Sequence, residues 1–206
     1  MSDTVQPASF AFDAESEAQI PPLLAKYPSG RQASAVIPML YLVQQQMKRQ
    51  TGSAWVPTAG MDAVAQRLDM PPMRVYEVAT FYTMFNLAPI GTWHLQVCTT
   101  TPCWLRGSDE VVAACHKKLG IGIGETTPDG QFSLMEVECL GACVNAPVLQ
   151  VNDDFYEDLD GPRTEQLLEA LKRGETPKPG SMTGRQTSAP EGGPETLTTL
   201  KFADAE

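Results

Sequence analysis

The sequence predicts an α+β protein in three parts: an N-terminal helical bundle, a small α/β domain and an extended C-terminal tail. Three observations carry that expectation. Apolar residues recur at helical spacing through residues 18–86. From Trp93 onward, strand-like runs are separated by single helical segments. From Gly174 onward the composition turns to Gly and Pro, nine in all counting Gly174, with one aromatic residue, Phe202. Such a segment buries too little apolar surface to order alone, so it is expected to be disordered or to order against a partner. The expected divisions are residues 1–17 as a mobile arm, 18–88 as the helical domain, 89–173 as the α/β domain and 174–206 as the tail.

Composition narrows the function before any motif is considered. With 206 residues and 42% hydrophobic content, the chain has ample material for a core. Its net charge of -10 argues against general nucleic-acid binding, which clustered positive charge drives, and against anionic membranes. No apolar run approaches the roughly 18 residues of a membrane span. The first 17 residues hold Asp3, Asp13, Glu15 and Glu17 and no Lys or Arg, unlike a secretory or transit segment. Five cysteines suit a closed disulfide framework poorly. In a reducing compartment, clustered cysteines more often bind metal or do redox work.

Within the helical part, Ile20, Leu23, Leu24 and Tyr27 predict a first short helix with Pro21 and Pro22 in its first turn. A second is expected from a Ser34 cap, with Val36, Leu40, Val43 and Met47 buried and Gly52 closing it. A third, near residues 60–69, presents Met61, Val64, Ala65 and Leu68. Pro71 and Pro72 open a fourth, with Val75, Val78, Ala79 and Tyr82 on one face. The last two also resemble a helix-turn-helix. A recognition helix must reach phosphates and base edges, whereas this one offers Arg74 beside Glu77 on an acidic chain. Packing and docking are the expected roles, and Phe81, Tyr82 and Phe85 are expected in the core.

Trp93 to Val97 reads as a strand ending on Cys98. Ser108 to Leu119 reads as a helix with Val111, Val112, Cys115 and Leu119 inward, stopped by Gly120. Gln131 to Cys139 alternates in part like a strand. Val148 to Val151 and Phe155-Tyr156 form an expected hairpin around residues 152–154, and Thr164 to Lys172 a closing helix. Strand, helix, strand, strand, helix suggests a small thioredoxin-like domain, with a helical crossover joining two parallel strands.

Four cysteines fall in two local pairs, each in a turn-rich loop after a strand. Cys98 and Cys103 enclose four residues; Cys139 and Cys143 enclose three, thirty-five residues further on. Two loops with two thiolates each suit a binuclear iron–sulfur cluster, one pair per iron. One-electron reduction of such a group adds negative charge with little rearrangement. Thr99, Thr100 and Thr101 can donate hydrogen bonds to sulfur, while Glu136 and Glu138 oppose reduction, so a low-potential centre is expected. Gly141 lets backbone approach the site. Structural zinc also takes four cysteines, usually with shorter loops, and stays open as an alternative. A thioredoxin-type dithiol needs C-x-x-C, which neither pair has. Cys115 reads as a small buried hydrophobe, and His94 and His116 as ordinary strand or surface residues. Gly120, Gly122 and Gly124 open no βα dinucleotide unit, and no substrate site is evident.

The segments Thr80-Phe-Tyr-Thr-Met-Phe85, Val97-Cys-Thr-Thr-Thr-Pro-Cys103, Glu138-Cys-Leu-Gly-Ala-Cys-Val-Asn-Ala-Pro147 and Asn152-Asp-Asp-Phe-Tyr156 occur in that order. This chain therefore resembles the family of thioredoxin-like [2Fe-2S] subunits of respiratory complex I, the NADH:quinone oxidoreductase, over roughly residues 18–173. Gly184-Arg185 and Ser188-Ala-Pro-Glu-Gly-Gly-Pro194 are similar to that family's tail. The cysteine motif alone does not separate complex I from NAD-linked formate dehydrogenases and hydrogenases. The resemblance implies one [2Fe-2S] cluster on Cys98, Cys103, Cys139 and Cys143. It places FMN and NADH only on a partner flavoprotein, against which the helical portion packs. It further implies a peripheral-arm subunit at the cytoplasmic face of a bacterial inner membrane, or the mitochondrial matrix side, with no membrane insertion and no nucleic acid.

Overall fold

A computed structural model of the chain describes residues 6–190, 192, 193, 195 and 196. Residues 1–5 of the expected arm, and residues 191, 194 and 197–206 of the expected tail, lie outside the described residues. The chain divides into two compact units between Thr92 and Trp93.

In the first unit, helix α1 spans Ala14–Leu24, earlier than the apolar spacing implied. Asp13 is the cause. Its carboxylate accepts from the Ser16 N–H at 2.8 Å, and Glu15 and Glu17 complement the positive helix start. Pro21 and Pro22 consequently lie late in the helix rather than in its first turn. The segment before it is tied down, contrary to the expectation of a mobile arm through residue 17. The buried Gln46 side chain accepts from Asp13 N–H and donates to Ala11 carbonyl, while Phe10 and Phe12 pack on the apolar cluster. Burying an amide is tolerable because both ends are satisfied.

Helix α2 spans Val36–Thr51, and the expected buried stripe of Val36, Leu40, Val43 and Met47 is present. Its start differs: a 3-10 turn at Gln32–Ala35 leads in, and no side chain caps it, Ser34 included. Gly52, at φ 79°, ends it. Helices α3 (Thr58–Leu68) and α4 (Pro72–Phe81) follow, burying Met61, Val64, Leu68, Val75 and Ala79 against α2 residues. Two aromatic expectations fail here. Tyr82 lies past the helix in extended backbone and is 38% exposed, and Phe81 is 77% exposed; only Phe85 joins the core.

The second unit is built on a five-stranded sheet. Its strands are β1 (Trp93–Cys98), β2 (Phe132–Val137), β3 (Leu149–Val151), β4 (Asp154–Glu157) and β5 (Gly180–Ser181), in the spatial order β2-β1-β3-β4-β5. β1 and β2 are parallel, with Cys98 opposite Val137; β3 runs antiparallel to β1, and β4 to β3. Between β1 and β2 run α5 (Thr101–Leu105) and α6 (Ser108–Leu119), and α7 (Gly161–Lys172) follows the β3–β4 hairpin. Val111 and Cys115 of α6 join Leu167, Leu168 and Leu171 of α7 over Leu95, Val97, Phe132, Leu134 and Tyr156 of the sheet. Asn152, at φ 55°, makes the hairpin turn.

The described part of the tail packs on its own chain: β5 pairs in parallel with β4, and Pro177 carbonyl accepts from the Tyr156 hydroxyl at 2.9 Å.

Of the glycines described in the first unit, Gly60 is the most closely approached. A Cβ there would fall 2.5 Å from the Cγ1 methyl of Val43, a fully buried residue. Gly60→Ala is therefore expected to cost about 1–3 kcal/mol by overpacking, against about 1 kcal/mol gained in helix propensity. Urea unfolding followed by far-ultraviolet circular dichroism measures the balance. A more stable variant would contradict this packing.

Candidate metal centre

The first cysteine pair is held by the sheet. Cys98 ends β1, and its N–H bonds to Val148 carbonyl at 3.2 Å. Thr100 is extended, and Pro102 sits in the first turn of α5, where its missing N–H is harmless. That single helical turn, which the sequence suggested would be loop, swings Cys103 back beside Cys98. Both are 1% exposed and share a small cluster with Ala146 and Val148.

The second pair is held by a loop. Cys139 lies two residues past the end of β2, and its sulfur lies 3.3 Å from that of Cys143, which opens a 3-10 turn at Cys143–Asn145. Gly141 sits between them at φ 85°, and its N–H points at the Cys139 sulfur from 3.4 Å. There is open space around a Cβ at this position, so the left-handed backbone, not crowding, calls for glycine.

The two pairs meet. The Thr100 hydroxyl lies 3.2 Å from the Cys98 sulfur and also serves Cys139. Leu140 N–H, from the second loop, favours the thiolate of Cys98, and Val148 N–H that of Cys103. Charge on Cys98 and Cys143 is felt at Cys103. Burial, and then donation to Cys98, push the Cys103 thiol up to about 12. Burial also works against Cys98, yet the Thr100 and Leu140 donors bring it below the ordinary thiol range. Gly141 N–H and Cys143 lower Cys139, whereas donating to Cys139 raises Cys143. Each pair thus holds one better thiolate and one proton donor. A cation would replace those protons and relieve the repulsion.

This donor set fits an iron–sulfur group: four soft sulfurs, N–H and hydroxyl donors aimed at them, and burial on one side. Among the described residues, no three His, Cys, Asp or Glu side chains gather around one metal-ion position; the thiols stand as two pairs. Glu136 accepts from Thr99 hydroxyl beside the site. Cys115 lies in the main apolar cluster, its thiol pushed up to about 12 by burial. His94 is a buried strand residue, not a surface one; burial lowers it to about 4, which keeps it neutral at physiological pH. Two features escaped the sequence. Trp104, Leu105 and Val144 are exposed apolar side chains beside the cysteines, and Arg185 of the tail reaches Val144 carbonyl at 2.9 Å. Only the apolar neighbours of Cys103 and Cys143 hinted at the first; nothing local signalled the second.

A family model described as Thioredoxin-like [2Fe-2S] ferredoxin matches residues 20–172. An NADH-quinone oxidoreductase subunit from Rickettsia bellii (strain RML369-C) is 51% identical over 164 residues, covering 80% of this chain and 95% of that protein. The mitochondrial NADH dehydrogenase [ubiquinone] flavoprotein 2 of Dictyostelium discoideum is 48% identical over 198 residues, covering 96% of this chain and 77% of that one. The crystal structure of an NAD+-reducing [NiFe]-hydrogenase in the air-oxidized state superposes with a TM-score of 0.55 at 18% identity. That match covers 66% of this chain and 23% of the hydrogenase chain, a likeness of fold alone.

In the metal-free chain at about pH 8, alkylation should proceed first at Cys139, which is exposed and has the lowered pKa. Cys103 and Cys115 should react last, because a raised pKa leaves almost no thiolate until the pH approaches about 12. Peptide mass spectrometry over time reads the order. Early labelling of Cys103 would contradict the geometry.

Proposed function

The chain belongs to the thioredoxin-like [2Fe-2S] ferredoxin family, and from that membership we propose how its second unit works. It is an electron-transfer subunit of NADH:quinone oxidoreductase with one [2Fe-2S] cluster, held by Cys98, Cys103, Cys139 and Cys143. It exchanges single electrons with the FMN of an NADH-binding flavoprotein partner. Neither FMN nor NADH is held by this chain. The observation that carries the reading is the meeting of two thiol pairs with donors shared across them.

When bound, the cluster supplies reversible one-electron chemistry. The residues decide how it is held. Cys98 and Cys103 lie on the water-free side, whereas Cys139 is exposed, so the second pair faces outward, where a partner can approach. Thr100 hydroxyl and the N–H groups of Leu140 and Gly141 aim positive dipoles at sulfur, which favours the reduced state. Glu136, next to the site, opposes it.

Relatives sharing about half their residues along most of their length favour the respiratory assembly. Likeness to the hydrogenase is of fold alone. The same reading seats the chain peripherally on the cytoplasmic or matrix side of the membrane. Among the described residues, no helix is long and apolar enough to cross one.

Serine at Cys98, Cys103, Cys139 or Cys143 should each bleach most of the visible absorption of the cluster-loaded chain and change the paramagnetic signal seen after one-electron reduction. Cys115→Ser should leave both intact, since that thiol lies in the apolar cluster. Bleaching by Cys115→Ser, or its absence at any of the four, would contradict the assignment.

A further inference from the structure

The second cysteine pair lacks what holds the first. Cys98 and Cys103 are 1% exposed and packed, but Cys139 is exposed and Val144, beside Cys143, is 66% exposed. Core burial holds this loop only in part, through Leu140 and Ala142 packed against the cluster of Cys98 and Cys103. Further restraint comes through its backbone, from two neighbouring segments.

Residues 143–147 run between the exit of β4 and the tail. Asp158 N–H bonds to Asn145 carbonyl at 2.7 Å, and Leu159 N–H to Pro147 carbonyl at 3.2 Å. On the other side, the Asn145 amide donates to Thr187 carbonyl at 2.6 Å and to Glu157. Arg185 ties the three segments together. Its guanidinium forks onto Asp158, Nε to Oδ2 at 3.0 Å and Nη2 to Oδ1 at 2.5 Å. The same Nη2 donates to Val144 carbonyl at 2.9 Å, and Nη1 to Ala189 carbonyl at 3.1 Å. Ser181 hydroxyl completes the cradle at Asp158 Oδ2, 2.6 Å away. The ion pair is largely buried, with side-chain exposures of 13% and 7%.

A buried ion pair is a poor source of net stability, because desolvation offsets attraction. What it gives is direction. A planar fork fixed by a carboxylate can present its remaining N–H groups at one angle only. Here one of them meets the carbonyl immediately after Cys143.

We propose that Arg185, anchored by Asp158, is a positioning residue that holds the loop carrying Cys139 and Cys143 closed on the metal centre. The tail is thereby part of the centre's outer support. This rests on the assignment of Cys139 and Cys143 as cluster ligands. Loss of an outer-shell partner typically weakens metal retention about 10–100-fold.

The test uses the full chain loaded with its [2Fe-2S] cluster. Iron transfer to an excess of a chromogenic chelator is timed, and the reduced-state electron paramagnetic resonance spectrum is recorded. Arg185→Ala should release iron about 10–100-fold faster and shift the spectrum. Arg185→Lys, whose single ammonium cannot hold Asp158 and Val144 carbonyl together, should fall between, and it decides the matter if Arg185→Ala does not fold. Arg173→Ala, which removes an exposed pair with Glu175, should match the unsubstituted chain. Unsubstituted release rates and spectra in the Arg185 variants would overturn the proposal. So would a lowered unfolding midpoint alone, which would assign Arg185 to the fold only. An unchanged spectrum in Cys143→Ser would overturn the ligand assignment itself, and this inference with it. Bleaching there, with no change in the Arg185 variants, would sink the inference alone.

Discussion

Parallel pairing of β1 with β2 brings two cysteine loops, far apart in sequence, to one end of the sheet. Parallel neighbours finish side by side. The register sets Cys98 opposite Val137, so the chain leaving β2 meets Cys139 directly beside the chain leaving β1. Antiparallel pairing would have put the loops at opposite ends. Parallel strands need a long crossover, and α6 supplies it, burying Val111 and Cys115 against the sheet. β3 closes the other flank, where Val148 carbonyl receives Cys98 N–H. The centre is a consequence of strand order.

The site has two unlike halves. One pair is embedded in apolar surroundings, where the cost of charge pushes Cys103 up to about 12. The other pair stands at the surface, stabilised by backbone N–H groups rather than burial. A redox group seated in this way is shielded on one side and reachable on the other, which suits a relay that must exchange electrons with a partner and not with water. Thiols that would repel one another as anions are tolerated together because one of each pair keeps its proton, Cys103 chiefly through burial and Cys143 chiefly by donating to Cys139.

Much of this was legible in the residues because the signals were local. Cysteine spacing marked both pairs, the stripe of Val36, Leu40, Val43 and Met47 marked α2, and Gly52 and Gly120 marked helix ends. One failure was local: Asp13, the capping carboxylate directly before α1, set its start. Others came where a distant residue decided the outcome, as Gln46, 33 residues from Asp13, held the segment before the helix. Tyr82 satisfied helical spacing but lay one residue beyond the helix. The tail had too little apolar surface to order alone, and so was expected to need a partner. Its partner is β4 and a buried Asp158 in the same chain, a pairing that carries no periodicity to read.

The central claim is that Cys98, Cys103, Cys139 and Cys143 act as two iron-binding pairs rather than as one cage. Mössbauer spectroscopy of the chain loaded anaerobically with Mössbauer-active iron tests it most directly. Two tetrahedral, sulfur-ligated ferric sites in equal amounts are expected, with one becoming ferrous after one-electron reduction. A single iron site bound by all four thiolates, or a colourless chain retaining one zinc in place of iron, would contradict the account.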